Sequence, residues 1–385
     1  MTTQPPLPES AITQEPAPAV ADGNAGERVY IASQWRLMWW KFCDHRLALV
    51  SLFALITLYL VAVFCEFFSP SDPRKRCAEL SYCPPQSIHV FHQGGLRRPF
   101  VYPLIQHFSE ETGKLAYSED SSRPLPVRLF AAGDTYKIWG LLPARRHLIA
   151  LDNGERLYLM GADRLGRDVF SRIVTGSRIS LSVGLVGVFL SLVMGTLIGG
   201  VSGYLGGMVD TIIQRFIEIL MSFPSIPLWL ALSAAMPATW SQVRVYFCMT
   251  VILACINWTG LARVVRGKIL ALREEDYVMA AKVAGVKEFS ILVRHLIPGF
   301  ASHLIVTVTL AVPGMILAET SLSFLRLGLR PPTISWGVLL QDAMNLRAIN
   351  LYPWLLWPGA FVIVTVLLFN FMGDGLRDAA DPYSH

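Results

Sequence analysis

SLSVGLVGVFLSLVMGTLIGGVSGY, residues 180–204, carries no charged side chain, and the reading of the whole chain starts from it. A helix that crosses a bilayer needs about 20 mostly apolar residues, because lipid offers no hydrogen bonds to backbone N–H and C=O groups. This stretch meets that length. Within it Gly184, Gly187, Ser191, Gly195, Gly199 and Gly203 recur every three or four residues. That spacing sets small side chains on one helix face and permits close helix contact, within a tight bundle or with a second membrane subunit.

Moving outward, comparable apolar segments occupy about 47–68, 209–236, 243–262, 299–320 and 353–373, which brings the total to six. The composition agrees: 53% of residues are hydrophobic and 16% charged, which removes the chain from the ordinary soluble class. The net charge of +5 sits in loops between apolar segments, so it reports membrane topology rather than a nucleic-acid surface. The expected fold class is an all-α integral membrane protein of six transmembrane helices with a small β-containing extracytoplasmic insert.

Residues 1–34 are rich in Pro and Ala and lack the layout of a signal peptide, so they read as a disordered cytoplasmic tail. Residues 35–68 form an interfacial segment and the first spanning helix; Trp35, Arg36, Trp39, Trp40, Lys41 and Arg46 make its inner flank. Residues 69–159 are an extracytoplasmic insert broken by prolines, with β-prone pieces such as Arg97–Leu104. Its many cations do not oppose this placement, since the positive-inside rule weakens for loops beyond about 60 residues.

Residues 160–179 read as an amphipathic periplasmic segment, in which Asp163 caps a helix carrying Arg164, Asp168 and Arg172 on one face. Five further helices fill 180–373, interrupted by a basic cytoplasmic loop at 263–298. Residues 374–385 are a second cytoplasmic tail, so both termini lie inside.

The loop at 263–298 contains EDYVMAAKVAG at 275–285 and RHLIP at 294–298. Ala280, Ala281 and Ala284 give one helix face a narrow profile, and Gly285 permits the sharp turn that sends the chain back to the membrane. This pattern resembles the coupling loop of binding-protein-dependent ABC importer permeases: Ala280, Ala281, Gly285, Ile297 and Pro298 match it, while Met279 stands for a usual Glu and His295 for a usual Ile. Further stretches resemble the second permease subunit of the dipeptide and oligopeptide (peptide/opine/nickel) importers. They are GADRLGRDVFSR at 161–172, GYLGGMVD at 203–210, MSFPSIPLWLAL at 221–232, TSLSFLRLGLRPPTISWGVLL at 320–340 and GDGLRDAADP at 373–382. Ala162 and Arg326 depart from that group, and the insert is longer than its usual outer loop.

The resemblance implies a permease of a bacterial inner membrane, paired with a second permease subunit, two ATPase subunits and an extracytoplasmic solute-binding protein. It implies import of peptides or peptide-like solutes, with oligosaccharides or opine-like solutes as the alternative. Gly161, Asp163, Gly166, Arg167, Asp168 and Arg172 would form a structural periplasmic motif. Met279, Ala280, Ala281, Gly285, His295, Ile297 and Pro298 would dock the ATPase.

The chain has no phosphate-binding Gly-x-x-x-x-Gly-Lys-Ser/Thr loop, so ATP and Mg would be used by the partner and no cofactor by this chain. Neither a catalytic group nor a metal-ligand spacing stands out, and no substrate ligand is assigned. A self-contained secondary transporter is the alternative of a different class, for which broken helices in an internal repeat and midplane charges are the signs to seek. Cys77 and Cys83, with five residues between them in the insert, are either a disulfide pair or two free thiols. Glu319, near the outer end of the fifth span, is expected to lie close to an interface.

Overall fold

The computed structural model describes residues 34–92, 95–109, 114–151, 155–237 and 239–381. The assigned tail at 1–34 lies outside these apart from Gln34, as do residues 382–385. Helix α1 (Gln34–Asp44) leads into α2 (Arg46–Val63), which His45 caps by accepting from the Ala48 N–H at 3.1 Å. Then come α3 (Val169–Leu205), α4 (Gly207–Ser222), α5 (Ser225–Ala234) and α6 (Gln242–Leu272). The chain continues through α7 (Asp276–Val283), α8 (Ala301–Phe324), α9 (Trp336–Leu340) and α10 (Trp357–Ala380).

Five helices are long and apolar enough to cross a membrane, and α4 with α5 supplies a sixth if that bent pair is one span. The segment expected as one helix over 209–236 is bent by 82°. Phe223–Pro224 accounts for it: proline has no N–H to donate and its ring pushes the preceding residue out of the helical region, and Phe223 is extended at φ −86°, ψ 133°.

Helix α3 is the axis of the bundle and packs along α6, α8 and α2. Its small-residue face is used inside the chain. A side chain at Gly199 would collide with the Ala262 carbonyl of α6, and one at Gly203 would lie 2.8 Å from the Arg266 carbonyl; Gly184 and Gly187 face Ile316 and Met315 of α8. At the amino-terminal end of α3, the buried Trp336 of α9 donates its indole N–H to Ile173 O (3.0 Å) and its backbone N–H to Ser180 Oγ (3.1 Å).

The insert is β-containing, as its alternating pieces suggest. Strands β1 (His89–His92), β2 (Gly95–Val101), β5 (Leu125–Leu129) and β8 (Ile149–Leu151) form an antiparallel sheet in the order β1-β2-β5-β8. Strands β3 (Leu104–Ser109) and β4 (Lys114–Glu119) pair as one hairpin, and β6 (Ala132–Ile138) and β7 (Leu142–Arg146) as another. Val101, Leu125, Leu151 and Leu157 close a small core.

Three expectations need correction. The segment from Gly161 to Asp168 is a tight turn, not a helix; α3 begins at Val169 and runs straight through the boundary drawn at 179. Asp168, rather than Asp163, is the helix cap, accepting from Phe170 N (3.2 Å) and Ser171 N (2.8 Å). The fourth span does not stop at 262, because α6 continues to Leu272 and α10 likewise continues to Ala380. Near the end of α8, Glu319 is fully buried among protein side chains, and its carboxylate accepts from Ser180, Ser323 and Ser335.

Candidate functional site

The loop that returns the chain from α6 to α8 is built on one buried anchor. Val278 of α7 is 0% exposed and packs with Val265, Ile269, Ile291, Leu292 and Leu296. The rest of α7 faces outward: Met279 and Ala280 are exposed and Val283 is 88% exposed, while Phe289 in the turn that follows is 68% exposed. Apolar side chains are thus left open around one buried anchor.

The end of α7 explains Gly285. The Gly285 N–H donates to Lys282 O at 3.0 Å and the Val286 N–H to Ala281 O at 3.1 Å, the pair of bonds that defines a Schellman turn. Gly285 has φ +76° with nothing within 4 Å of where a side chain would begin, so backbone freedom rather than space requires glycine here. Ala281 and Val286 both pack on the cluster around Val278.

The return path is irregular. Leu292–Leu296, including Arg294 and His295, form a π-helical turn, and Ile297–Gly299 restart the α-helix with Pro298 near its start. A proline inside regular helix would clash with the carbonyl four residues back, and a wider turn before it relieves this. Thus Ala281, Gly285, His295, Ile297 and Pro298 shape the loop, whereas Met279 and Ala280 lie on its open face.

The α3–α4 turn is tied to this loop. Asp210, at the start of α4, accepts from Arg266 Nε and Nη2 of α6, both at 2.5 Å, and from Ser202 Oγ at 2.5 Å. Arg273 reaches back to Gly203 O at 3.3 Å, and the Lys282 ammonium sits 5.4 Å from the centre of the Tyr204 ring. In the sequence Asp210 closes the stretch 203–210 and Arg266 falls in the basic loop at 263–298, and two opposite charges 56 positions apart give no local signal that joins them.

The motif at 161–172 is a clamp. Asp163 is buried and accepts from Leu165 N (2.8 Å), Arg167 N (3.1 Å), Arg167 Nε (2.7 Å) and Arg172 Nη1. Its backbone carbonyl receives Tyr82 N at 3.0 Å, Leu165 O receives Cys77 N at 3.2 Å, and Cys83 O receives Ala162 N at 2.8 Å. Gly161 and Gly166 both have positive φ. The turn therefore fastens the base of the insert to the start of α3, and Trp354 joins it by donating to Ala162 O at 3.0 Å.

Burial pushes Asp168 up to about 6 despite its two backbone donors, and burial together with the nearby Asp163 carboxylate holds Asp342 above the usual carboxylate range. Cys77 and Cys83 are free thiols; burial pushes Cys83 up to about 12, which makes it inert.

Between α3, α5, α6 and α8 lies a cavity of about 280 Å³ lined by residues that include Ser191, Trp229, Asn257, Thr307 and Gly314. Asn257 lines it, while its neighbour Trp258 is buried against Ile217 and Ala262. No group of three or more His, Cys, Asp or Glu side chains that could hold a metal occurs among the described residues.

Residues 195–383 match the family model described as binding-protein-dependent transport system inner membrane component, and residues 33–85 match the N-terminal transmembrane domain of oligopeptide transport permease C. The chain is 42% identical to the oligopeptide transport system permease protein OppC of Haemophilus influenzae, over 59% of this chain and 71% of that one. It is 40% identical to the dipeptide transport system permease protein DppC of Bacillus subtilis, over 58% and 68% of the two chains. It is 39% identical to the glutathione transport system permease protein GsiD of Pectobacterium atrosepticum, over 58% and 72%. With matches of this extent at both ends, the chain belongs to the inner membrane permeases of binding-protein-dependent transport systems, in the oligopeptide and dipeptide permease family.

Proposed function

We infer that this chain is one membrane-spanning half of an ATP-driven importer that carries peptides or peptide-like solutes delivered by an extracytoplasmic binding protein. A second permease subunit completes the pathway, and each permease seats its loop in one of two ATPase subunits, which use ATP and Mg. Counting α4 with α5 as one span gives six crossings with both termini in the cytoplasm. With the amino terminus inside, as the basic and aromatic flank at 35–46 favours, the insert lies outside and the 273–300 connection inside.

The observation that carries this reading is the exposed apolar face of α7 and its turn: Met279, Val283 and Phe289 are open, yet the helix is held rigidly by Val278 and the Schellman turn. The relatives' names supply the solute class, all three being permeases for peptides or glutathione.

The test is Gly285→Val, which removes the backbone conformation while adding no collision. The variant should insert into the membrane at the normal level and lose most of its co-purifying ATPase, read by quantitative mass spectrometry of the complex in mild detergent. Normal recovery of the ATPase would refute α7 as its dock. The peptide assignment is tested separately, by identifying the ligand on a captured binding protein.

A further inference from the structure

The β6–β7 hairpin ends beside the membrane. Its tip, Trp139-Gly140-Leu141, follows a turn in which the Leu141 N–H donates to Ile138 O at 3.0 Å. The Trp139 indole N–H donates to the carbonyl of Val63, the last residue of α2, at 2.9 Å, and its ring lies 5.7 Å from that of Phe64. The tip is thus fixed at the level where α2 leaves the membrane.

We propose that this hairpin tip is a second membrane contact, a monotopic anchor whose Trp139, Leu141 and Leu142 dip into the outer leaflet of the phospholipid bilayer. The inference rests on α2 being a membrane span, as proposed above.

Three observations support it. The tip is apolar and open: Leu141 is 78% exposed, Leu142 61% and Trp139 53%. It continues an established lipid-type surface, because Val50, Phe53, Ile56, Leu60 and Val63 form the outward stripe of α2 and Phe64 carries that stripe to Trp139. And the strands behind the tip carry exposed Lys137, Arg145 and Arg146, which suits a tip in acyl chains with cations at headgroup phosphates.

The hairpin is also held in a fixed pose. The buried His147 has Nδ1 2.5 Å from Ser69 O and Nε2 2.9 Å from Asp134 O, and Leu148 N donates to Phe67 O at 2.9 Å. Lys75 pairs with Asp134 at 3.0 Å. These bonds join the hairpin to the stretch that follows α2. Trp139 has φ +52° and Phe130, packed 6.0 Å from Phe67, has φ +55°. A bulky side chain strains the backbone in that region, so two such aromatics in one hairpin region mark a geometry kept for what it presents.

The test uses the full chain in nanodiscs of phosphatidylethanolamine and phosphatidylglycerol, with the six native cysteines replaced. A nitroxide is placed at Leu141→Cys, at Phe53→Cys as a lipid reference and at Glu79→Cys as a water reference. Power-saturation EPR compares collision with oxygen, which concentrates in lipid, and with a nickel chelate, which stays in water. The oxygen-to-nickel ratio at 141 should exceed that at 79 several-fold and approach that at 53. Leu142→Cys repeats the measurement if the first variant folds poorly.

A ratio at 141 equal to that at 79, with 53 still reading as lipid, overturns the anchor and leaves the span intact. A watery reading at 53 overturns both together. Shielding at 141 from both reagents only after the binding protein is added would reassign the tip to protein docking.

Discussion

The three serines around Glu319 each have their hydroxyl oxygen engaged by a backbone N–H: Ser180 by Trp336 N, Ser323 by Leu329 N and Ser335 by Val338 N, at 3.1 to 3.3 Å. Each hydroxyl proton is therefore free to point at the carboxylate, and the bonds to Glu319 measure 3.1, 2.8 and 2.9 Å. Removing the acceptor strands three buried donors, whereas Gln keeps some of the set. Glu319→Ala should cost on the order of 3 kcal/mol and Glu319→Gln clearly less, read by thermal unfolding in mild detergent. Only one of these partners is legible in the sequence, Ser323 one helical turn along; Ser180 lies 139 residues away.

A pH effect belongs at this scale too. Burial pushes the Glu66 carboxyl up, but the bonds from Arg178 Nη1 and Nη2 at 2.6 and 2.7 Å outweigh it, and the net direction is below the usual value. A depressed folded pKa stabilises above the unfolded carboxyl pKa of about 4.3 and is lost as pH falls through the folded value. Protection of the amides at 64–69, measured relative to their intrinsic exchange rates, should therefore fall as pH drops below about 4.3 and through the folded value, and Glu66→Gln should remove that dependence. The pair is partly exposed, so its worth is about 1 kcal/mol.

Among the elements, α3 and α6 give a matched pair of glycines. Gly199 has the Ala262 carbonyl where its side chain would begin, and Gly260 has nothing within 4 Å. Gly199→Ala must push α3 and α6 apart and should destabilise by about 1–3 kcal/mol. Gly260→Ala should be neutral or stabilising by up to about 1 kcal/mol, since alanine costs less backbone entropy in a helix. Melting temperatures of the two purified variants decide it; equal shifts would mean that the close approach at Gly199 is not real.

The small-residue stripe is visible in sequence because its period is local, but which helix it meets is not. The helix expected around Asp163 fails for a related reason. Four-residue spacing of charges suits a helix, yet Asp163 instead accepts bonds from Arg167, Arg172 and backbone donors on a tight turn, and the positive φ at Gly161 and Gly166 is a signal that GxxxxG spacing alone does not display. The bend at Phe223–Pro224 does have a sequence signal, the proline itself, which the apolar residues on either side mask.

At the scale of the molecule, the six apolar segments and the insert are readable because bilayer length and proline density act on composition alone. How the inner turns connect is not, and the Asp210–Arg266 pair is the clearest case. It ties the α3–α4 turn to the stretch of α6 that precedes the α7 loop, the dock proposed above for the ATPase. Arg266→Lys keeps the charge and loses the forked geometry, so uptake should fall severalfold while ATPase recovery in the complex stays normal. An unchanged transport rate would show that the pair only stabilises.

Helix α6 runs unbroken for 31 residues, roughly 46 Å at 1.5 Å per residue, with no proline to soften it. Such a rod behaves as a lever: a push on the α7 end appears at the far end without being absorbed along the way. The neighbouring α4–α5 pair, jointed at Pro224, can fold further or open about that one point. Stiffness and slack thus fall on different, neighbouring helices.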